Sequence, residues 1–294
     1  MSARKSSEVI GTDSFVSYKG YFLPSSLEEA RIKNQELNDF TLNKDDVLVV
    51  GFPKSGTTRM TLLLREMYDD WGLIEAAGRQ VVPLLEWSVS QFHIEGATGI
   101  ARKAFLENPS MSSSRRLIKS RLPYPILPRQ FREDKVCKAI YMTRNPKDVC
   151  MNYFHFEKSF VPLDRNDEPI EWNDFVQAFV DGLVVYGPWL NHVIDWMQHC
   201  QAENILHVSY EELMHNPAAV VEKIVAFLDR PLGGKTIQQV IGSATFTNEG
   251  STITRGATGE WRKVFSKEEN ALVDRDIGKM LKAKGFDFLY EPCQ

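Results

Sequence analysis

The period of the hydrophobic positions changes along the chain, and the changes fall at glycines and prolines. Val47-Leu48-Val49-Val50-Gly51-Phe52 is an unbroken, largely apolar run. Such a run suits a strand covered on both faces, as in a parallel sheet. Pro53-Lys54-Ser55-Gly56 stops it, and Met60, Leu63, Leu64 and Met67 then recur at i, i+3, i+4 and i+7, one face of a helix. Arg116–Lys119, Val136–Met142 and Asn204–Val208 read as further strands. Asn145 as cap and Pro146 at the first helical position open a helix after the second of these. A helical region runs from Trp172 to His199, broken near Gly187-Pro188, and another helix from Ala218 to Leu228. Residues 1–40 read as an N-terminal arm with a first helix, Leu27–Leu37, capped by Ser26. Strands alternating with helices predict a single α/β domain over residues 41–294, with a central, mainly parallel sheet and helices on both faces.

Composition narrows the function classes. The chain has 294 residues and a formal charge of −4, with 43% hydrophobic and 25% charged residues. These shares are ordinary for a globular protein. A slightly acidic balance argues against a general nucleic-acid binder, which needs a basic surplus. No apolar run approaches the roughly 20 residues of a membrane span, and the basic N-terminus lacks the apolar stretch of a signal peptide. Cys137, Cys150, Cys200 and Cys293 are scattered, so no zinc or redox motif is formed and a reducing cytoplasmic setting is expected. No metal is expected, because no His/Cys/Asp cluster has ligand spacing.

The candidate chemistry begins at Gly51-Phe52-Pro53-Lys54-Ser55-Gly56-Thr57-Thr58, between a predicted strand and a predicted helix. A helix N-terminus offers unpaired N–H groups to a phosphate or sulfate. Lys54 adds a compact charge, and Ser55, Thr57 and Thr58 add hydroxyls. The glycine spacing is P-loop-like, but Thr57 follows Gly56 where a nucleoside-triphosphate loop has lysine. A well-capped strand-to-helix turn is the plain alternative.

Phe52-Pro53-Lys54-Ser55-Gly56-Thr57-Thr58 resembles the phosphosulfate-binding loop of the cytosolic sulfotransferases, which use 3′-phosphoadenosine 5′-phosphosulfate. Tyr141–Val149 with Tyr153–Phe156, Tyr210-Glu211-Glu212-Leu213, and Arg255–Arg262 are similar to three further elements of that family, in its order. The resemblance implies sulfuryl transfer to the hydroxyl or amine of a small molecule (a phenol, alcohol or amine), leaving adenosine 3′,5′-bisphosphate. It implies that Lys54, Ser55, Gly56, Thr57 and Thr58 hold the 5′-phosphate. Arg144, Arg255 and Gly256 would meet the 3′-phosphate, and Tyr210 and Phe246 would lie around the adenine. Arg59 stands where the family has a tryptophan, and Asn152 where it has a serine. The family's dimerisation segment is poorly kept over residues 262–271, so no oligomeric state follows.

The largest departure is Lys119-Ser120-Arg121-Leu122-Pro123. Lys119 is retained, but Arg121 occupies the position of the family's catalytic histidine. A guanidinium stays protonated and cannot act as a base. Three accounts remain open at this level. Another group could be the base (His93, Glu95, Glu86 or His155), the acceptor could need little help, or the chain could be a catalytically impaired nucleotide-binding homologue.

Overall fold

The computed structural model describes residues 15–24, 27, 29–76, 79–86, 115–160, 170–244 and 257–286. Phe246, Arg255, Gly256, Ser26, His93 and Glu95 therefore lie outside the described residues. The arm opens on an antiparallel hairpin absent from the sequence reading, β1 (Phe15–Tyr18) and β2 (Tyr21–Pro24). Its two-residue turn, Lys19-Gly20, has positive φ at both positions (50° and 81°), which matches the right-handed twist of the flanking strands. The first helix is shorter than predicted: α1 covers Glu29–Lys33. Gln35 adopts φ 66°, and Glu36 N–H returns to Arg31 C=O at 3.1 Å, a closure that satisfies the end of the helix and stops it.

The central sheet is formed by β3 (Val47–Val50), β6 (Leu117–Ser120), β7 (Lys138–Thr143) and β8 (Ile205–Ser209), in the order β6-β3-β7-β8. All three pairings are parallel. A small hairpin of β4 (Ile74–Ala76) and β5 (Arg79–Val81) precedes β6. The helices are α2 (Thr57–Met67), α3 (Arg129–Arg132), α4 (Pro146–Phe160), α5 (Trp172–Asp181), α6 (Trp189–Met197), α7 (Tyr210–His215), α8 (Pro217–Leu228), α9 (Ile237–Ser243), α10 (Lys267–Val273) and α11 (Lys279–Ala283). The break in the predicted 172–199 helix begins earlier than Gly187-Pro188, since Gly182 at φ 77° already caps α5. Among the described residues no helix is long and apolar enough to cross a membrane.

Strand alternation divides the core into two layers. Leu48, Val50, Ile118 and Tyr141 pack with residues of α4, α5 and α6, including Tyr153, Phe179 and Trp196. Val47, Val49, Leu117 and Met142 pack on the other face with Met60, Leu63, Leu64 and Met67 of α2 and with Val220 and Ile224 of α8. Tyr21, Leu23, Ile32 and Leu37 of the arm join the first layer, and Phe22 exchanges backbone hydrogen bonds with Tyr186 and Gly187.

The amino ends of β3 and β6 are fixed by a buried ion pair. Arg116 Nε donates to Asp46 Oδ1 at 2.8 Å, and its Nη2 donates to Asp46 and, at 3.0 Å, to Thr41 C=O. Removing one partner leaves the other charge buried and uncompensated. Asp46→Ala is expected to lower unfolding free energy by about 3 kcal/mol, read as a reduced urea midpoint with an unchanged slope.

Candidate functional site

The route out of β3 runs toward β6, whereas the route out of β7 runs toward β8. The crevice between their carboxyl ends is the switch point where open α/β sheets gather ligands. The loop after β3 opens into it. Gly51 N–H bonds Ser120 C=O at 3.2 Å, and Ser55 N–H bonds Phe52 C=O at 3.1 Å. Lys54 is held at φ 69° and Gly56 at φ 97°. At Gly56 a Cβ would collide with the Tyr210 ring, so both the conformation and the close approach need glycine. Helix α2 then starts at Thr57 with no side-chain cap and no acidic residue in its first turn, which leaves the positive end of its dipole uncompensated.

The Lys54 ammonium sits 3.9 Å from the centre of the Phe156 ring. Burial lowers its pKa to about 8, helped by the charges of Arg121 and Arg144 and opposed by Glu157. Lys119, at the carboxyl end of β6, is also lowered to about 8, by burial and by Arg121, against the pull of Glu86. Two lysines are thus held short of full protonation beside two arginines.

Arg144 follows β7 directly. Its guanidinium lies 4.3 Å from the centre of the Tyr210 ring, with Nη1 to Lys54 C=O at 3.4 Å and Nη2 to Ala257 C=O at 3.2 Å. Its Nε is buried without a hydrogen-bond partner, a donor that a phosphate oxygen would satisfy. Arg144 makes no salt bridge to Asp148, four residues along. Asp148 instead accepts from Gly259 N–H (2.8 Å) and Trp261 N–H (3.2 Å). Lys147 stands 4.4 Å from the Trp261 ring centre. The segment after the undescribed Arg255-Gly256 is therefore tied to the first turn of α4. Asn145 caps that turn through Lys147 N–H at 2.9 Å, while its own N–H reaches Glu211 Oε1 at 2.9 Å.

Tyr210 is shared by both halves of the site. The Arg59 guanidinium lies 5.7 Å from its ring centre and touches the Met214 sulfur. Asn152, further along α4, gives its amide N–H to Asp148 C=O at 2.7 Å.

Arg121 is placed by its backbone. Its N–H donates to Glu86 Oε1 at 2.7 Å, and its C=O accepts from His192 Nε2 at 3.1 Å. A carbonyl can only accept, so Nε2 carries the proton and Nδ1 takes the Tyr141 hydroxyl at 3.2 Å. Burial pushes the His192 pKa down to about 3. The Arg121 guanidinium lies 5.8 Å from the centre of the Tyr186 ring. Burial opposes its charge, but Tyr186, Glu86 and Tyr153 together hold its pKa above the usual value.

The structure thus brings together Lys54, Ser55, Gly56, Thr57, Thr58, Arg59, Lys119, Arg121, Arg144 and Tyr210 around one end of the sheet. Of the other candidate bases, Glu86 lies at Arg121 and His155 is exposed on α4. The sequence reading missed Tyr186, His192 and the support given by Glu211. Tyr186 carried only a break signal before Gly187-Pro188, and His192 sits on an apolar helix face like any core residue. No group of three or more His, Cys, Asp or Glu residues could hold a metal among the described residues.

Comparison with known proteins agrees with this architecture. The family described as "Sulfotransferase domain" matches residues 44–285. Sulfotransferase 1A1 of Canis lupus familiaris is 30% identical over 278 residues, covering 86% of this chain and 89% of that protein. The amine sulfotransferase of Oryctolagus cuniculus is 28% identical over 306 residues, covering 94% and 93%. The crystal structure of mouse sulfotransferase SULT7A1 complexed with PAP superposes with a TM-score of 0.73 at 24% identity, over 92% of this chain and 96% of that one. With a matching family profile over most of its length and a core laid out as that fold requires, the chain belongs to the sulfotransferase family.

Proposed function

We propose that the protein transfers a sulfuryl group from 3′-phosphoadenosine 5′-phosphosulfate to the hydroxyl or amine of a small-molecule acceptor. The observation that carries this reading is the convergence of Lys54, the unpartnered Nε of Arg144 and the uncapped start of α2 on one crevice. The SULT7A1 structure that shares the fold is itself a complex with PAP, which supports the choice of nucleotide.

Bound there, the nucleotide supplies an activated sulfuryl group. Lys54, the Ser55 hydroxyl and the backbone N–H groups from Gly56 to Thr58 neutralise the 5′-phosphate and the bridging oxygen that becomes the leaving group. These donors are fixed before ligand arrives, so little reorganisation opposes charge development. Arg144 receives the 3′-phosphate through its fork of donors, with Asn152, Arg255 and Gly256 completing that end. Tyr210 and Phe246 flank the adenine, and Arg59 offers a guanidinium plane where the family has an indole. Lys119 faces the transferred group, and Arg121 adds charge beside it.

The protonation states give a direct test. The lowered Lys54 pKa means that the free protein binds fewer protons at this group than an ordinary lysine does between pH 8 and 10. An adjacent phosphate restores the charge, so binding takes up protons. Calorimetry of adenosine 3′,5′-bisphosphate in buffers of differing ionisation enthalpy should show uptake by Lys54 of about half a proton at pH 8, rising toward one near pH 9. Affinity should fall as pH rises through this range. Lys54→Met is expected to abolish that uptake and weaken binding at least about tenfold. Arg144→Ala should weaken adenosine 3′,5′-bisphosphate about a hundredfold but adenosine 5′-phosphate little, because it removes a charged hydrogen-bond pair specific to the 3′ side.

Radiolabelled sulfate transfer over a panel of phenols, alcohols and amines tests the reaction itself. Transfer to at least one class is expected. Tight binding of adenosine 3′,5′-bisphosphate with transfer to none would favour the nucleotide-binding homologue, the reading that a buried cation at position 121 keeps in play.

A further inference from the structure

Resting on the sulfuryl-transfer reading, we propose that Glu86 is the proton acceptor of this reaction, taking over from the imidazole whose position Arg121 fills. The segment after β5 runs beside β6, bridged at Leu84 and Lys119, and Lys119 N–H bonds Pro83 C=O at 2.8 Å. It delivers Glu86 to the carboxyl end of β6, next to Lys119 and Arg121. The residue is 1% exposed. Its Oε1 is fixed by the Arg121 N–H at 2.7 Å, while Oε2 is buried with no hydrogen-bond partner. A buried carboxylate oxygen left unpaired costs stability, and packing does not require it, since an apolar residue would fill the same volume without that cost.

The groups facing Glu86 are Lys119, Ser120 and Arg121 from β6 and its exit, and Tyr186 from the connection between α5 and α6. Burial raises the carboxyl pKa and Arg121 opposes the rise. Arg121 therefore becomes a positioning residue: its backbone aims the carboxylate, and its charge keeps it ionised while burial makes it more basic. Among the described residues, the histidines near the site offer no substitute. His192 has both ring nitrogens engaged, His207 Nε2 is bonded to Thr143, and His155 is exposed on α4.

In the step, the acceptor's O–H bond breaks and its proton goes to Glu86 Oε2. The acceptor oxygen bonds to sulfur as the sulfur–oxygen bond to the 5′-phosphate breaks. That electron pair stays on the phosphate oxygen beside Lys54, and the Glu86 proton leaves to water after product release.

Glu86→Gln keeps an acceptor for the Arg121 N–H but cannot take a proton. Adenosine 3′,5′-bisphosphate affinity should stay within about twofold, while kcat/KM for an aliphatic alcohol falls about 10²–10⁴-fold. The fall should be much smaller for an acidic phenol, and the acid limb of the pH–rate profile should disappear. Infrared difference titration of the nucleotide-free protein should show a carboxyl band titrating above the ordinary glutamate range, absent from the variant. Should the glutamine variant not fold, Glu86→Asp, which withdraws the carboxylate by one methylene, is expected to fold, keep the acid limb and lose rate with the same dependence on acceptor. Equal losses across acceptors of different acidity, or an E86Q enzyme with wild-type rate and acid limb, overturn the assignment while leaving the sulfotransferase reading intact. A wild-type protein that binds nucleotide but sulfates no acceptor overturns both.

Discussion

With β6 on one edge and β7 on the other, β3 has no free backbone edge, and its four side chains are buried on both faces. The chain leaving Val50 must therefore turn at the end of the sheet and return over one face as α2. That constraint places Lys54 and the start of α2 beside the exits of both neighbouring strands. Lys119 and Arg121 arrive from β6, and Arg144 from β7. The hydrophobic pairing of β3 thus sets the geometry of a charged site without any charged residue taking part in the pairing.

Gathering four cations at one end of a sheet is unfavourable by itself. The burden shows where it can, in the two residues able to give up a proton: burial first, and then the charge of Arg121, bring both Lys54 and Lys119 down to about 8. Arginine has no such outlet, so Arg121 and Arg144 are cushioned by aromatic and carboxylate neighbours. An anionic ligand with phosphate at both ends relieves these repulsions at once. A net charge of −4 over the whole chain conceals this local surplus.

The two ends of the crevice are mechanically joined. Tyr210 packs on Gly56 and lies against both Arg59 and Arg144, so a change in the loop after β3 is felt at the exit of β7. Asp148 and Lys147 hold residues 259–261 against the start of α4, which brings the chain end following Arg255 and Gly256 to Arg144. Loss of either anchor would act on Arg144 from a distance.

The strand–loop–helix unit around Lys54 could be read from the sequence because each part is local: an unbroken apolar run, a glycine turn and one amphipathic face. The same holds for Arg144, set by its place between a strand and an Asn-Pro helix start. The arm's hairpin was not legible, since strands of four residues carry too few positions to show a period and rely on Tyr186 and Gly187 for support. Nor could pattern single out, among the candidate bases His93, Glu95, Glu86 and His155, Glu86 as a residue that meets Arg121. That choice depends on a carboxylate and a backbone N–H 35 residues apart being buried together, with one oxygen held and the other left bare. Residue types and their order determined which charges this protein carries to the end of its sheet. Tertiary packing decided their company, because burial and proximity, which set both pKa and hydrogen-bond supply, exist only once distant segments meet.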